Sequence, residues 1–196
     1  MSNGGGPHRL VGVLALQGAF AAHERALVAA GAATRQVRQP IDLLGLDALV
    51  MPGGESTTMS RLLTTSGLYD DIKGLVSDGL PIFGTCAGMI LLASEVLDGR
   101  ADQRTFGAID ISVRRNGYGR QVDSFEADID VVDFDHPFHA VFIRAPKVIG
   151  VGPNVEVLAE HDGVPVVARQ GHVMVASFHP ELTADARLHA RFLQEV

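Results

Sequence analysis

Four short apolar runs stand out along the chain, each bounded by glycine, proline or polar residues. The longest covers Leu10–Leu16, and the others cover Asp47–Met51, Leu80–Phe83 and Val173–Phe178. Continuous apolar runs of this length are typical of strands buried on both faces of a parallel sheet. Ala33–Val37 has a weaker version of the pattern, and we interpret it as a further short strand.

Segments with helical spacing of apolar residues separate or follow these strands. The alternation of strand and helix predicts a parallel sheet with helices on both faces. The predicted helices are His23–Ala30 ending at Gly31, Thr57–Thr65 with Ser56 as N-cap, Tyr69–Asp78, Met89–Leu97, and a last helix from an N-cap at Thr183 to about Val196.

The second half of the chain has a different periodicity. Ile109–Val113, Phe125–Val131 and Val155–Ala159 alternate with period two, as half-exposed antiparallel strands do. Asp162 and Gly163 lie between two apolar segments and predict a hairpin turn. We therefore expect antiparallel strands beside the parallel part of the sheet.

Length and composition fit one globular domain of the α/β class. The chain has 196 residues, 46% of them hydrophobic and 20% charged, which is enough for a sizeable core. Residues 1–9 are Gly-rich and polar, and we predict that they form a flexible leader. Residues 10–196 then form the domain, with a mostly parallel central sheet, helices on both faces and antiparallel strands in the second half.

Charge and cysteine content exclude several classes of function. The net charge of −7 disfavours a phosphate backbone as ligand, so we expect no nucleic-acid partner. Cys86 is the only cysteine, which rules out an intramolecular disulfide and a Cys-rich metal site, and we expect neither metal nor cofactor. The N-terminus lacks the apolar stretch of a signal peptide, and the apolar runs are too short to span a membrane. We expect a cytoplasmic protein without a membrane partner.

The segment Gly84-Thr85-Cys86-Ala87-Gly88 joins a predicted strand to a predicted helix. This is the arrangement of a nucleophile elbow, in which small residues two positions before and after permit a tight, strained turn. The helix N-terminus favours a thiolate at Cys86, and the N–H of Ala87 would face a developing oxyanion. The alternative is that Cys86 is a small buried apolar residue.

His179 and Glu181 form the best candidate for a base and the group that orients it. His179 ends an apolar strand, and Pro180 stiffens the chain so that both side chains emerge on one side. A thiol nucleophile needs a base, commonly histidine, whose tautomer is fixed by an acceptor. Alternatively, His179 is a strand-end surface residue and Glu181 an acid that precedes a helix. The other seven histidines have no comparable context, and we interpret them as surface or structural residues.

The loop Pro52-Gly53-Gly54-Glu55-Ser56 directly follows a buried strand. Its two glycines permit unusual backbone angles and a close approach to a ligand, so its N–H groups are candidates for an oxyanion site. The alternative is a tight turn capped by Ser56, and both interpretations are compatible.

Arg115 and Arg144 lie among apolar strand residues, where an unpaired guanidinium would be costly. Each needs a carboxylate partner, which a substrate, a partner protein or an internal acid would supply.

Three motifs together resemble a class I, triad-type glutamine amidotransferase: PGGEST at 52–57, GTCAGM at 84–89 and SFHPEL at 177–182. ALQGA at 15–19, RNGYGRQVDSFEADI at 115–129 and FIRAP at 142–146 resemble the glutaminase subunit of the pyridoxal phosphate synthase family. The resemblance implies a flavodoxin-like three-layer sandwich. It also implies catalysis by Cys86, His179 and Glu181, an oxyanion site at Gly53, Gly54 and Ala87, and glutamine binding by Gly54, Glu55, Ser56, Arg115, Ile143 and Arg144.

The same resemblance implies the reaction and the partner. L-glutamine is hydrolysed to glutamate and ammonia, and the ammonia passes to a (β/α)-barrel synthase subunit in a large hetero-oligomeric complex that makes pyridoxal 5'-phosphate. Three alternatives stay open at this point. They are a triad glutaminase of another biosynthetic pathway, a thiol hydrolase that acts without a partner, and a non-catalytic interaction subunit.

Overall fold

The predicted apolar strands lie at the centre of the fold. The computed structural model describes residues 9–117 and 124–196. Within these ranges the strands are β1 Leu10–Leu14, β2 Ala33–Val37, β3 Ala48–Met51, β4 Ile82–Thr85, β5 Ala93–Val96, β6 Ile109–Arg114, β7 Ser124–Ile129, β8 Phe138–Ile143, β9 Lys147–Val151, β10 Glu156–His161, β11 Val164–Gln170 and β12 Val173–Ala176. The helices are α1 Phe20–Ala29, α2 Ser56–Thr65, α3 Leu68–Ser77, α4 Ala87–Leu92 and α5 Arg187–Leu193.

Within the described residues, seven strands form the main sheet in the order β10-β11-β12-β4-β3-β1-β2. The strands from β12 to β2 are parallel, whereas β11 is antiparallel to both β12 and β10. A smaller sheet has the order β5-β6-β9, and β7 and β8 form a hairpin. This architecture confirms the predicted α/β sandwich with antiparallel strands contributed by the second half.

Two apolar cores lie on the two faces of the main sheet. One contains Met59 of α2 and Ile72 of α3, both fully buried. The other contains Leu27 of α1 and Phe192 of α5, together with Phe138 of the β7–β8 hairpin. Helices therefore cover both faces, as the uninterrupted apolar strands require.

The carboxyl ends of three adjacent strands bring the candidate motifs together. Met51 at the end of β3 is paired with Gly84 of β4, and Thr85 at the end of β4 is paired with Ala176 at the end of β12. The loops that follow β3, β4 and β12 carry the glycine loop, Cys86 and His179. Open α/β sheets place their sites at this edge, so the topology predicts where a ligand binds.

The predicted helix Met89–Leu97 is only partly correct. α4 begins at Ala87 and ends at Leu92, and the chain then continues as β5, in which Ala93 pairs with Ile109. The apolar spacing continued past Leu92, but pairing with β6 determines the backbone there, and local periodicity contains no information about that partner.

Two predicted helix caps are also wrong. Glu55, not Ser56, caps α2, because its carboxylate accepts the N–H groups of Thr57 and Thr58. The last helix begins at Arg187 rather than after Thr183, and it ends at Leu193. A short 3₁₀ turn over Pro180–Leu182 precedes it.

The hairpin turn at Asp162 and Gly163 is confirmed, with φ angles of 50° and 71°. β8 and β9 lie in a segment for which no strand was predicted. The predicted leader at residues 1–9 falls outside the described residues except for Arg9, and so does the 118–123 part of the RNGYGRQVDSFEADI motif. No helix in the described ranges is long and apolar enough to cross a bilayer.

We expect Gly88→Ala to destabilise the protein by at least ~2 kcal/mol, because a Cβ at Gly88 would lie 2.1 Å from the carbonyl oxygen of Met51. Chemical denaturation measures this change. Gly74→Ala is the matched control, since nothing lies within 4 Å of its added Cβ in α3 and alanine favours helix by about 0.5–1 kcal/mol. Equal stability of the two variants would contradict the close contact.

Candidate active site

Cys86 occupies a strained turn between β4 and α4. Its φ and ψ angles are 50° and −105°, a conformation that non-glycine residues rarely adopt. A Cβ at Gly84 would lie 2.7 Å from the carbonyl carbon of Gly88, so the glycines of the motif are needed for this turn. Ala87 is the first residue of α4, and its N–H therefore has no acceptor within the helix. The predicted elbow geometry is thus present.

His179 lies between Cys86 and Glu181 in the same site. Its Nδ1 is 2.8 Å from Oε1 of Glu181, and its ring and the side chain of Cys86 line the same pocket. Burial lowers the pKa of His179, but the hydrogen bonds and charges of Cys86 and Glu181 outweigh burial and raise the pKa to about 10. The elevated pKa indicates that Cys86 and the carboxylate of Glu181 both favour the protonated ring of His179.

Glu181 is the buried end of this chain of contacts, only 6% exposed. Burial raises the pKa of its carboxyl, but the hydrogen bond from His179 and the charges of His23 and His179 hold the pKa below its usual value. It is therefore an ionised acceptor that holds Nδ1 of His179 and fixes the orientation of the ring, which is the role expected of an orienting group.

The glycine loop after β3 packs against both catalytic candidates. A Cβ on Gly53 would lie 2.5 Å from Cε1 of His179 and 3.3 Å from Cβ of Cys86. The loop is held from behind by the segment after β1, because Oε1 of Gln17 accepts the N–H of Glu55 at 2.9 Å. Gly18 has a φ of 86°, and a side chain there would collide with the carbonyl oxygen of Gly53.

Glu55 and Arg115 form an ion pair at the wall of the site. Nη2 of Arg115 is 2.9 Å from Oε1 of Glu55, and the Arg115 side chain is 20% exposed. Burial raises the pKa of Glu55, but hydrogen bonds from Thr58 and Thr57 outweigh it and lower the pKa to about 2. Arg115 therefore has an internal carboxylate partner, one that lies in the glycine loop rather than in the RQVDSFEADID segment.

The sequence predicts that Arg144 lies among apolar strand residues, but the structure places it at the surface. It follows β8 directly, is exposed and has a φ of 43°. Within the described ranges no carboxylate lies in ion-pair distance of it. The carbonyl oxygen of the preceding residue, Ile143, is 3.9 Å from Sγ of Cys86, so this turn borders the sulfur.

These residues surround one open pocket of about 380 Å³, a volume suited to a single small molecule. It contains every residue predicted to catalyse or to bind substrate except Glu181, which lies behind His179, while the oxyanion candidates Gly53 and Ala87 border it from the loop and the elbow. The lining residues are Ala19, Gly54, Glu55, Ser56, Cys86, Ile90, Arg115, Asn116, Ile143, Arg144, His179 and Leu182.

Two fully buried histidines, His23 and His189, lie behind Glu181 and were not assigned a function from the sequence. Neither is next to a recognisable motif. His23 lies in an alanine-rich helix and His189 in a short C-terminal one, so only the packing of α1 and α5 brings them to the site.

A cysteine on a strained elbow, in one pocket with a histidine that a buried glutamate orients, defines a thiol amidohydrolase site on a class I glutamine amidotransferase fold. The chain belongs to the SNO glutamine amidotransferase family, which it matches over residues 13–196. This confirms the resemblance seen in the three motifs.

Known relatives cover almost the whole chain. Pyridoxal 5'-phosphate synthase subunit PdxT of Corynebacterium jeikeium is 54% identical over 95% of this chain and 96% of the relative. The protein of the same name from Thermosipho africanus is 52% identical over 95% and 98%. A solved structure described as a glutamine amidotransferase is 49% identical, with a TM-score of 0.89 over 94% of this chain and 97% of that one. A putative GMP synthase protein from Thermoplasma acidophilum shares the fold, with 15% identity and a TM-score of 0.67 over 97% of this chain and 93% of that one.

We expect Cys86→Ala to lower the pKa of His179, because Cys86 contributes both a hydrogen bond and a charge that raise it. The ring should then titrate at clearly lower pH in an NMR titration. His139 serves as internal control, since its pKa is raised by hydrogen bonds with Asp128 and Glu126 and should not change. An unchanged His179 pKa would show that the sulfur does not stabilise the imidazolium.

Proposed function

We propose that the chain is the glutaminase subunit of a pyridoxal 5'-phosphate synthase, hydrolysing L-glutamine to L-glutamate and ammonia for a synthase subunit. The observation that carries this proposal is the Cys86–His179–Glu181 chain of contacts at the base of a small pocket. Membership of a glutamine amidotransferase family and similarity to PdxT proteins over 95% of the chain support the substrate and the pathway.

Glutamine is oriented by the charged and polar wall of the pocket. Arg115 offers a guanidinium to the α-carboxylate, and Glu55, ionised even in mild acid, offers a carboxylate to the α-ammonium group. Gly54, Ser56 and the Ile143–Arg144 turn form the remaining surface. With both charged groups on its α-carbon held, the ligand presents the amide at its other end to the sulfur.

Cys86 attacks the amide carbon as a thiolate. The tetrahedral oxyanion faces N–H groups of Ala87 and of the Gly53–Gly54 loop, and His179 donates a proton to the leaving ammonia. The resulting glutamyl thioester is hydrolysed by a water molecule that His179 deprotonates. Glu181 keeps Nδ1 of His179 occupied, so that Nε2 exchanges the proton in both steps.

The partner is a (β/α)-barrel synthase subunit in a large hetero-oligomeric complex in the cytoplasm. Ammonia reacts with its acceptor in the neutral form, and a shielded route from the pocket to the partner keeps it from being protonated in bulk water. The family resemblance of the sequence motifs supports this partner and assembly.

Other functions are less well supported. A glutaminase of another pathway would share the triad, but the relatives that cover 93% or more of this chain are named pyridoxal 5'-phosphate synthase subunits. A thiol hydrolase that needs no partner would act on peptides or folates, and it would show no response to a synthase subunit. A non-catalytic subunit would have no reason to keep the elbow strain at Cys86.

The decisive experiment measures glutamate release and ammonia incorporation into pyridoxal 5'-phosphate, with and without the candidate synthase subunit. We expect wild-type chain plus synthase to make both products, and Cys86→Ala to abolish glutamate release while free ammonium still supports the synthase. Full glutaminase activity of Cys86→Ala would overturn the assignment of the nucleophile.

We expect Arg115→Gln to raise the KM for glutamine by about tenfold or more, since a hydrogen bond to a charged group is worth about 1.5–3 kcal/mol. Steady-state glutaminase kinetics in the presence of the synthase measures this change. Arg100→Gln is the control, because Arg100 is 67% exposed and pairs with Asp102 outside the pocket. Equal KM values for both variants would remove Arg115 from the binding site.

A further inference from the structure

The carboxylate of Glu181 has two oxygens, and the proposed mechanism uses only one. Oε1 accepts from His179, whereas Oε2 is buried and has no hydrogen bond of ordinary geometry in the described part of the chain. The nearest donor is the ring of His23, with Nε2 at 3.3 Å from Oε2. A buried carboxylate oxygen without a donor is costly, so this contact calls for explanation.

His23 belongs to a buried pair of rings. Its Nδ1 is 2.9 Å from Nε2 of His189, and its Nε2 is also 3.2 Å from Oγ1 of Thr85. Both histidines are 0% exposed. They come from α1 and α5, two helices on the same face of the main sheet. His23 lies beside Glu181, and His189 lies on the other side of His23.

Both rings are uncharged at neutral pH. Burial lowers the pKa of His23 to about 4, against the opposing charge of Glu181 and with a smaller contribution from His179. Burial also lowers the pKa of His189 to about 3, with the charge of His23 acting in the same direction. Each ring therefore carries one N–H, and its position is decided by the hydrogen bonds.

The tautomers of His23 and His189 follow from the surroundings of one ring nitrogen, Nδ1 of His189. Nδ1 of His189 is buried without a partner among the described residues. If Nδ1 carried the proton, an N–H donor would be buried unpaired, and Nε2 of His23 would turn a lone pair toward the carboxylate of Glu181. The opposite assignment leaves Nδ1 of His189 as an unpaired acceptor, but it removes the unpaired donor and the repulsion. Nε2–H of His189 then donates to Nδ1 of His23, and His23 carries its proton on Nε2, within reach of Oγ1 of Thr85 and Oε2 of Glu181.

We infer that His23 is a positioning residue whose Nε2–H, oriented by His189, donates to the second oxygen of Glu181. The inference rests on the proposed function and extends the chain of contacts to Cys86–His179–Glu181–His23–His189. The hydrogen bond holds Glu181 ionised and turned toward His179. At 3.3 Å the contact is within hydrogen-bond distance but poorly aligned in the resting site, where Nε2 of His23 also contacts Oγ1 of Thr85, and poorly aligned bonds of this kind tighten in the reacting complex.

Two substitutions at His23 test the inference. His23→Leu removes the donor, whereas His23→Gln keeps an amide N–H in its place. We expect His23→Leu to lower kcat by about 10- to 100-fold, the usual range for loss of a group that orients a functional side chain, with KM changed less than about twofold. His23→Gln should recover most of the lost kcat.

The pH dependence of kcat separates positioning from a purely structural role. The groups that face His23 are Glu181 and Thr85, with His189 on its other side and His179 beyond the carboxylate. Without the donor, the folded-state pKa of Glu181 rises, so the carboxylate is protonated at higher pH. The acidic limb of the kcat profile should therefore move to higher pH in His23→Leu and lie at its wild-type pH again in His23→Gln.

His172→Leu is the matched control. His172 precedes β12 at the opposite end from the site, and its Nε2 is 2.8 Å from the carbonyl oxygen of Val76. Its loss should reduce thermal stability without moving the acidic limb. All variants are assayed as full chains with the synthase subunit, beside wild type and Cys86→Ala, so an inactive wild type would count against the proposed function and not against His23.

The inference is overturned if His23→Leu keeps kcat and the acidic limb unchanged from wild type, or if His23→Gln is as impaired as His23→Leu with an unmoved limb. If His23→Leu does not fold, His189→Leu decides. Loss of the His189 ring, which orients His23, should also move the acidic limb to higher pH. An unmoved limb would refute the proposed hydrogen bond from His23 to Glu181.

Discussion

The contact between Gly88 and the carbonyl oxygen of Met51 is the constraint on which the site depends. It lets α4 begin directly beside the end of β3, immediately after the positive φ of Cys86. The strain places the sulfur at the edge of the sheet, within reach of the loop after β12. A side chain at Gly53 would occupy the space that His179 and Cys86 share, so a similar steric restriction governs the opposite wall.

The charged groups of the site extend from the pocket toward the interior of the protein. The imidazolium of His179 lies between the sulfur of Cys86 and the carboxylate of Glu181, and these two groups raise the pKa of His179 although burial lowers it. Beyond Glu181 the charges stop, because burial keeps His23 and His189 neutral. The neutral ring of His23 therefore donates to the carboxylate of Glu181 without competing for the proton of His179.

The parallel core, and the motifs that carry Cys86, His179 and Glu181, could be recognised in the sequence because both depend on local patterns. Apolar runs identify buried strands, and glycines on either side of Cys86 identify the elbow. The rest depended on distant partners: β5 forms at Ala93 because β6 lies beside it, and which acid pairs with Arg115 is decided by the approach of Glu55 across the pocket. The buried histidines had no local feature at all, and only the packing of α1 against α5 brings His23 to the site.

The order of strands has a consequence for the chain while it is being synthesised. β12 lies between β4 and β11 in space, yet it comes after both in sequence. A ribosome-bound chain therefore carries the thiol long before it carries the imidazole of His179. Until the last central strand inserts, the sulfur has neither base nor orienting carboxylate, so an unfinished or trimmed chain cannot waste glutamine. The site is therefore assembled only after the last central strand has joined the sheet.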